Sequence, residues 1–250
     1  MPPLPHPPLS KDKLGGGPYS LCIFQGGQQQ RAILSTPGFP SPVPQQTQPR
    51  YHLGSSPNDR VGMFASCHID AGDLVVAERP LVLMPAVATA VPVKMPPGFE
   101  ASPTQVMQLQ MRQYNMILEK CIERLPVDDR KAFYEFKSHD RKEGLGPILD
   151  RMEMNGLAVV VASVDKKEKF RNSAVFKHVS RINHRCTPNA TWDFDVVSFS
   201  MRIRALCAIE NDEEIFISYI DDESVTGNER RAALRKYGIT CGCGLCSKDI

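Results

Sequence analysis

Three cysteines within six residues near the end of the sequence constrain the fold of this chain more than any other feature. Cys241, Cys243 and Cys246 form a Cys-x-Cys-x-x-Cys pattern with glycines at two of the intervening positions. Closely spaced thiolates are typical ligands of structural zinc, which binds four ligands in a tetrahedral arrangement. The pattern therefore predicts a zinc site whose fourth ligand comes from a distant part of the chain, and Cys186 is the best candidate. The competing interpretation is a flexible tail with free or disulfide-bonded thiols.

The zinc interpretation depends on a reducing compartment, and the rest of the sequence favours one. The 250 residues carry a formal net charge of +2 and contain no uninterrupted run of about 18 apolar residues that would span a membrane. The opening Met1–Pro5 lacks the charged and then apolar layout of a secretory signal. We therefore expect a nuclear or cytoplasmic protein with reduced thiols and no association with a membrane. The near-neutral charge also argues against direct binding to nucleic acid.

The first fifth of the sequence has the composition of a disordered tail. Residues 1–50 hold 11 of the 21 prolines, together with glycine and glutamine runs, and large apolar residues are sparse there. Such a segment buries too little apolar surface to offset the entropy that it loses on ordering. We predict a disordered tail over residues 1–50, with a short ordered piece around Tyr19–Phe24 as the alternative. Order is expected to begin near Tyr51.

Short runs of β-forming residues predict strands at both ends of the region that follows. Gly62–Ser66 and Leu74–Ala77 are separated by a glycine-containing turn and are typical of a hairpin. Ala190–Phe194 and Ser200–Leu206 predict a second pair of strands. Glu214–Ile220 alternates between polar and apolar residues, which is the period of a half-buried strand.

Between these strands the sequence is typical of helices. Ser102, Pro103 and Gln105 match a helix start, with a capping serine, a proline at the first helical position and a glutamine that completes a capping box. Apolar residues then recur every three or four positions and predict one buried face: Met107, Met111, Tyr114, Leu118, Cys121 and Leu125. Two further helices are predicted up to Phe136 and over Pro147–Met154. The whole is a mainly β chain with an α insert at about residues 86–154.

Three polar motifs combine into a recognisable set. Residues 183–189 read Asn-His-Arg-Cys-Thr-Pro-Asn, residues 212–219 read Asp-Glu-Glu-Ile-Phe-Ile-Ser-Tyr, and the cysteine cluster follows. Together they resemble the SET-domain family of protein lysine methyltransferases, and most of all its branch with an inserted helical segment, the SMYD-like and related fungal proteins. Residues 62–65 and 78–81 also look like the opening strands of that family. The resemblance covers roughly residues 51–250.

The resemblance implies a fold and a division into segments. It implies small β-sheets with a knot-like threading of the C-terminal segment. The SET domain would span residues 51–222 with the helical insert inside it, and a post-SET zinc-binding segment would span residues 223–250. No cysteine and histidine array for a MYND finger is present.

The resemblance also implies chemistry and roles for particular residues. The expected reaction is transfer of a methyl group from S-adenosylmethionine to a lysine of a protein substrate, either a histone or a non-histone protein. Tyr219 matches the catalytic tyrosine, and Tyr237 matches an aromatic residue of the substrate lysine channel. The residues that match cofactor-binding positions are Gly62, Met63, Phe64, Ser180, Asn183, His184 and Ile239. The residues that match the ligands of a structural zinc ion are Cys186, Cys241, Cys243 and Cys246.

Two departures from the family pattern support an alternative from another class. Arg60 stands where the family often has glycine, and Ile239 stands where an aromatic residue is usual. A catalytically silent SET-fold scaffold that binds a peptide or partner would tolerate both changes. Retention of Tyr219, Asn183 and His184 favours the enzyme. A nucleic-acid-binding zinc module and a Rossmann-type methyltransferase fit less well, because the spacing of a finger and a glycine-rich strand-to-helix turn are both missing.

Overall fold

The computed structural model forms two compact units, one of residues 1–41 with 80–175 and the other of residues 42–79 with 176–250. The described residues are 20–24, 26–56, 60–86, 102–138, 146–162, 167–220, 225–235 and 237–247. In chain order the elements are β1 (Leu21–Cys22), α1 (Gly27–Leu34), β2 (Tyr51–Ser56), β3 (Arg60–Ala65), β4 (Leu74–Glu78), β5 (Val82–Pro85), α2 (Pro103–Ile122), α3 (Val127–Tyr134), α4 (Pro147–Asn155), β6 (Leu157–Ala162), β7 (Lys169–Val175), β8 (Asn183–His184), β9 (Ala190–Asp195), β10 (Ser200–Ala205), β11 (Glu214–Ile217) and α5 (Gly227–Arg235). None of the helices in these described ranges is both long and apolar enough to cross a bilayer.

The first unit packs helices against one small sheet. Its strands lie in the order β1-β5-β7-β6, with β1 parallel to β5 and the other neighbours antiparallel. Helix α2 begins at the predicted capping box, in which the Ser102 hydroxyl accepts from the Gln105 N–H and the Gln105 side chain accepts from the Ser102 N–H. Tyr114, Leu118 and Cys121 are buried, as predicted, in a core shared with α3 and α4. The predicted face is too long at its start, because Met107 is 55% exposed.

The predicted tail proves partly ordered. Residues 1–19 lie outside the described residues, but strand β1 and helix α1 both fall inside the range for which we predicted disorder. The expectation is wrong for these two elements because four apolar side chains are buried there, those of Leu21, Cys22, Ala32 and Ile33. The ordered piece predicted as the alternative around Tyr19–Phe24 coincides with β1. A few well-placed apolar contacts thus outweigh a composition that is unfavourable on average.

The second unit contains two sheets, and the two strands that were predicted to form a hairpin lie in different sheets. Strand β3 pairs with β2 and β11, whereas β4 pairs with β10, so the prediction that β3 and β4 form a hairpin is wrong. The connecting residues bind another part of the chain instead. Ile69 and Ile209 exchange backbone hydrogen bonds of 2.9 Å, and the Gly72 N–H donates to the Ala205 carbonyl at 2.9 Å. The predicted pairing of β9 with β10 is confirmed and is antiparallel.

Strand β11 lies at the centre of the second unit's other sheet. It is antiparallel to β3 and parallel to β8, with Phe216 opposite Asn183 and Ile217 opposite His184. Ile215 and Ile217 are fully buried, as the predicted alternation requires, and the strand ends at Ile217. This arrangement sets two of the three polar motifs side by side. The knot-like threading and the domain boundaries at residues 51 and 222 stay predictions.

A carboxylate at the end of β4 holds the turn that leads into β8. Glu78 accepts the backbone N–H groups of His178 at 3.1 Å and Val179 at 2.8 Å, at the start of the 3-10 helix Val179–Arg181. The Tyr51 hydroxyl lies 2.7 Å from Nδ1 of the same His178. Burial raises the pKa of Glu78 to about 7.

This raised pKa predicts that the free energy of unfolding decreases as the pH rises from 4.5 to about 7. Over that range unfolded chains lose the Glu78 proton while folded chains keep it, so the unfolded state binds fewer protons and gains relative stability with pH. Glu78→Gln should remove this part of the pH dependence, and Glu123→Gln, at an exposed carboxylate, should not. Thermal midpoints measured across this pH range check the prediction. Equal slopes in wild type and Glu78→Gln would show it to be wrong.

Candidate active site

The four predicted cysteine ligands come together in the second unit. Cys186 follows β8, and the other three cysteines follow α5. The sulfur of Cys186 is 3.7 Å from that of Cys241 and 3.5 Å from that of Cys246. All four sulfur atoms, including that of Cys243, lie within 4.8 Å of one another.

This cluster fits a structural zinc ion. Sulfur atoms at tetrahedral positions about 2.3 Å from zinc are about 3.8 Å apart, which is close to the observed distances. The cysteine segment forms a tight turn in which the Cys246 N–H donates to the Cys243 carbonyl at 2.9 Å. The Arg231 side chain donates to the Cys246 carbonyl and so connects the turn to α5. Zinc at this cluster would join the cysteine segment to the end of β8.

His184 connects the cysteine cluster to the tyrosine motif. Its Nδ1 accepts the backbone N–H of Tyr219 at 3.0 Å, so the ring proton is carried by Nε2. Nε2 lies 3.2 Å from the Cys186 sulfur and can donate to it. Burial lowers the pKa of His184 to about 4, which keeps the imidazole neutral near pH 7. The ring therefore acts as a fixed bridge between sulfur and backbone.

The two tyrosines predicted for catalysis and for the lysine channel lie against each other. The ring centroids of Tyr219 and Tyr237 are 4.7 Å apart, and the rings are inclined by 57°. Tyr219 also contacts His184, with ring centroids 5.3 Å apart. The Tyr219 hydroxyl donates to the Ile182 carbonyl at 2.6 Å. These contacts give one aromatic cluster in which both tyrosines are half-buried.

A hydrogen-bonded carboxylate accompanies Asn183. The Asn183 amide nitrogen donates to Glu214 Oε1 at 2.8 Å and to the Val61 carbonyl at 3.3 Å. The Ser56 hydroxyl donates to the other carboxylate oxygen of Glu214 at 2.9 Å. A Cβ atom at Gly62 would lie only 2.4 Å from Glu214 Oε1, so glycine is needed here to leave room for the carboxylate.

The other predicted cofactor-binding residues have varied environments. Met63 is fully buried, which leaves only its backbone available to a ligand. Phe64 is half-buried and stacks on His52 with ring centroids 5.7 Å apart. The Ser180 hydroxyl accepts from the Phe176 N–H at 2.9 Å, within its own turn. Ile239 is half-buried and donates its N–H to the Leu234 carbonyl at 3.2 Å.

Sequence reasoning missed two side chains that organise this region. The sequence predicts no role for Glu214 beyond its place at the start of a half-buried strand, yet its carboxylate is bonded to two side chains. Asn189 is buried and binds the backbone of β11 on both sides, accepting from the Phe216 N–H at 2.8 Å and donating to the Glu214 carbonyl at 2.9 Å. The strand period could have indicated Glu214, because it places that residue on the face opposite the buried Ile215.

A cavity of about 660 Å³ lies beside the cysteine cluster. Its lining includes Cys186, Trp192 and Leu206, and both sequence neighbours of Tyr219, Ser218 and Ile220. The lining is mixed in polarity, and Leu206 is 52% exposed at its edge. The cavity therefore offers room for a polypeptide segment or small molecule near the tyrosine motif.

Comparison with known proteins agrees with this geometry. The family model of the SET domain matches residues 60–220. Histone-lysine N-methyltransferase set5 of Schizosaccharomyces pombe is 24% identical over 200 residues, which cover 80% of this chain and 51% of that protein. Histone-lysine N-methyltransferase ATXR2 of Arabidopsis thaliana is 39% identical over 84 residues, covering 32% of this chain and 17% of that protein.

A third relative extends the similarity to an enzyme that is not named for histones. Protein-lysine N-trimethyltransferase SMYD5 of Gallus gallus is 34% identical over 108 residues, covering 40% of this chain and 26% of that protein. The chain spans about half the length of set5 and less of the other two relatives. S-Adenosylmethionine is the standard methyl donor of proteins with this domain.

The cysteine geometry predicts that Cys186→Ser abolishes tight zinc binding. The variant keeps three sulfur ligands, so zinc should bind much more weakly. Because zinc binding contributes to folding, the free energy of unfolding should also decrease, by roughly several kcal/mol. Cys207→Ser removes an exposed thiol outside the cluster and should keep both properties. Metal analysis after dialysis and thermal unfolding check the prediction. Equal zinc content in the two variants would rule out Cys186 as a ligand.

Proposed function

This chain belongs to the SET-domain family, and we propose that it is a protein lysine N-methyltransferase that uses S-adenosylmethionine. The observation that carries the proposal is the aromatic cluster at the end of β11. Tyr219, the match to the catalytic tyrosine, lies 4.7 Å from Tyr237, the match to the channel residue. His184, from the first polar motif, lies against the Tyr219 ring.

The aromatic cluster suits the proton requirements of the reaction. A lysine amine must be neutral to act as a nucleophile, although its ordinary pKa is about 10.4. Half-buried aromatic walls disfavour the ammonium form, so the amine gives up its proton to solvent before the transfer. The Tyr219 hydroxyl can then orient the amine, and alignment with local electrostatics supplies most of the rate enhancement.

S-Adenosylmethionine, when bound, would supply the methyl group, which the neutral lysine nitrogen would accept as the carbon–sulfur bond breaks and S-adenosylhomocysteine leaves. On this chain the Asn183 side chain would hold the amino-acid part, His184 would contribute to the cofactor site through its backbone because both of its ring nitrogens are engaged, and Ser180 would line the same pocket. Gly62 and Met63 would contribute through their backbone, which agrees with the full burial of the Met63 side chain. Phe64 and Ile239 complete the proposed cofactor-binding set.

The fit of the cofactor to this region rests on the chemistry of the groups present. Asn183 presents an amide beside the Glu214 carboxylate, 2.8 Å away. An acceptor next to a carboxylate suits the positively charged ammonium group of the methionine part. Zinc takes no part in the chemistry in this proposal. A zinc ion at the cluster would hold Cys186 in place and, through His184, would support the backbone at Tyr219.

The proposed substrate is a histone or non-histone protein with an accessible lysine. The cavity bordered by Ser218 and Ile220 offers room for the segment that carries the lysine. A nuclear or cytoplasmic location follows from such substrates. We propose no direct contact with nucleic acid or a membrane.

Two substitutions test the proposal, because one should lower methyl transfer and the other should weaken cofactor binding. Tyr219→Phe should keep the affinity for S-adenosylmethionine and lower methyl transfer by about a hundredfold, the usual effect of removing one oriented group in a reaction site. Asn183→Ala should weaken cofactor binding by about tenfold or more, because a hydrogen bond to a charged group is lost. Tyr134→Phe, at an exposed tyrosine of α3, is the matched control. Calorimetry measures binding, and transfer of a labelled methyl group to recombinant histones and to a panel of non-histone proteins measures activity.

The wild-type result separates the two classes of function. Binding in the micromolar range with the expected pattern of variants supports the enzyme. A folded, zinc-loaded wild-type protein that fails to bind S-adenosylmethionine contradicts it and favours a silent scaffold. In that case the departures at Arg60 and Ile239 would account for the lost affinity.

A further inference from the structure

We propose that Glu214 is a positioning residue for methyl transfer, because its carboxylate fixes the Asn183 amide with the carbonyl oxygen directed to the cofactor. This inference rests on the proposed function and adds to it a residue outside the set predicted from the sequence. Glu214 belongs to strand β11, and Asn183 opens the neighbouring strand β8.

The orientation of the Asn183 amide follows from its two partners. The Asn183 amide nitrogen lies 2.8 Å from Glu214 Oε1 and 3.3 Å from the Val61 carbonyl oxygen. Both of these oxygens are acceptors, so the end of the amide that faces them is the NH₂ group. These two contacts use both hydrogens of that group. Among the described residues none donates to the Asn183 carbonyl oxygen, which is therefore the atom that the side chain can offer to a ligand.

The Glu214 carboxylate is itself held in one place. The Ser56 hydroxyl donates to its Oε2 at 2.9 Å, on the side opposite the Asn183 contact. The backbone of Gly62 forms the adjacent wall, where a Cβ would approach Oε1 to 2.4 Å. The buried Ile215 next in sequence fixes the face from which Glu214 projects. A side chain with so little freedom can determine the orientation of its neighbour.

This arrangement selects the kind of ligand group that it can bind. A carbonyl oxygen is an acceptor, and the nearby carboxylate adds negative charge, so the pair favours a cationic donor over an anion. A rotated amide would present its NH₂ group instead and would repel the same donor. The ammonium group of S-adenosylmethionine and of S-adenosylhomocysteine is such a cationic donor.

Two substitutions at Glu214 separate position from charge. Glu214→Ala removes both contacts, and we expect the Kd for S-adenosylhomocysteine and the KM for S-adenosylmethionine to rise about tenfold, with a smaller change in kcat. Glu214→Gln keeps an acceptor for Asn183 and a donor for Ser56, so affinity should fall by no more than about threefold. Calorimetry on the full chain measures the Kd. A Gln variant as impaired as the Ala variant would overturn the proposal.

A double-mutant cycle distinguishes positioning from a general structural role. In an Asn183→Ala background, Glu214→Ala should cause little further loss of affinity, because Glu214 acts through Asn183. Additive losses would contradict the proposal. Ser56→Ala offers a milder route to the same test should Glu214→Ala fail to fold. It should lower affinity by about twofold to threefold, and the loss should vanish when Asn183 is replaced.

The controls keep this proposal separate from the proposed function. Glu210→Ala removes an exposed carboxylate four positions earlier and should leave the Kd unchanged. Zinc content and thermal midpoints verify the fold of every variant. Wild-type binding with an unaffected Glu214→Ala variant would overturn the positioning role alone. Absence of binding by the wild type would overturn the proposed function and the positioning role with it.

Discussion

The contact of Cys186 with the terminal cysteine segment is the constraint on which the rest of the site depends. Strand β8 is two residues long and lies at the edge of its sheet, where it pairs with β11 among the described strands, so its backbone pairing gives it little stability of its own. The cysteine cluster adds a cross-link over 55 residues of chain, from Cys186 to Cys241. Four thiolates this close repel one another without a cation, so zinc binding and local folding are coupled. The position of β8 is thus tied to the metal.

His184 carries this constraint to Tyr219, the proposed catalytic residue. One ring nitrogen lies 3.2 Å from the Cys186 sulfur and the other accepts the Tyr219 N–H at 3.0 Å, so a shift of the cluster would move the tyrosine backbone. On the other face of β8, Asn183 is held by Glu214. The two residues of this short strand therefore make contacts on opposite faces. His184 contacts Cys186, a proposed metal ligand, and Asn183 contacts the Glu214 carboxylate.

The sequence predicted those features that depend on local chemistry. Cysteine spacing indicated three members of the cluster, strand alternation indicated the buried face of β11, and the capping box at Ser102 indicated the start of α2. The distant fourth cysteine, Cys186, was a candidate because zinc prefers four ligands and because its segment resembles a family motif. Prediction failed for distant partners that no such motif marks. The turn after Ala65 suggested a hairpin, but the bridge between Ile69 and Ile209 draws β3 and β4 into different sheets. The hydrogen-bond partners of the Glu214 carboxylate could not be predicted for the same reason, since Ser56 lies 158 positions away, although the strand period indicates the face on which Glu214 lies.

The dependence of the site on zinc is tested most directly by measuring cofactor affinity before and after the metal is removed. S-Adenosylhomocysteine would be titrated into the full chain by calorimetry, first as purified, then after chelation, and finally after zinc is restored. Affinity for S-adenosylhomocysteine is expected to fall by at least about tenfold on chelation and to recover with zinc, because β8 and Tyr219 lose their anchor when the metal is removed. A zinc-free protein that remains folded and binds with unchanged affinity would contradict it.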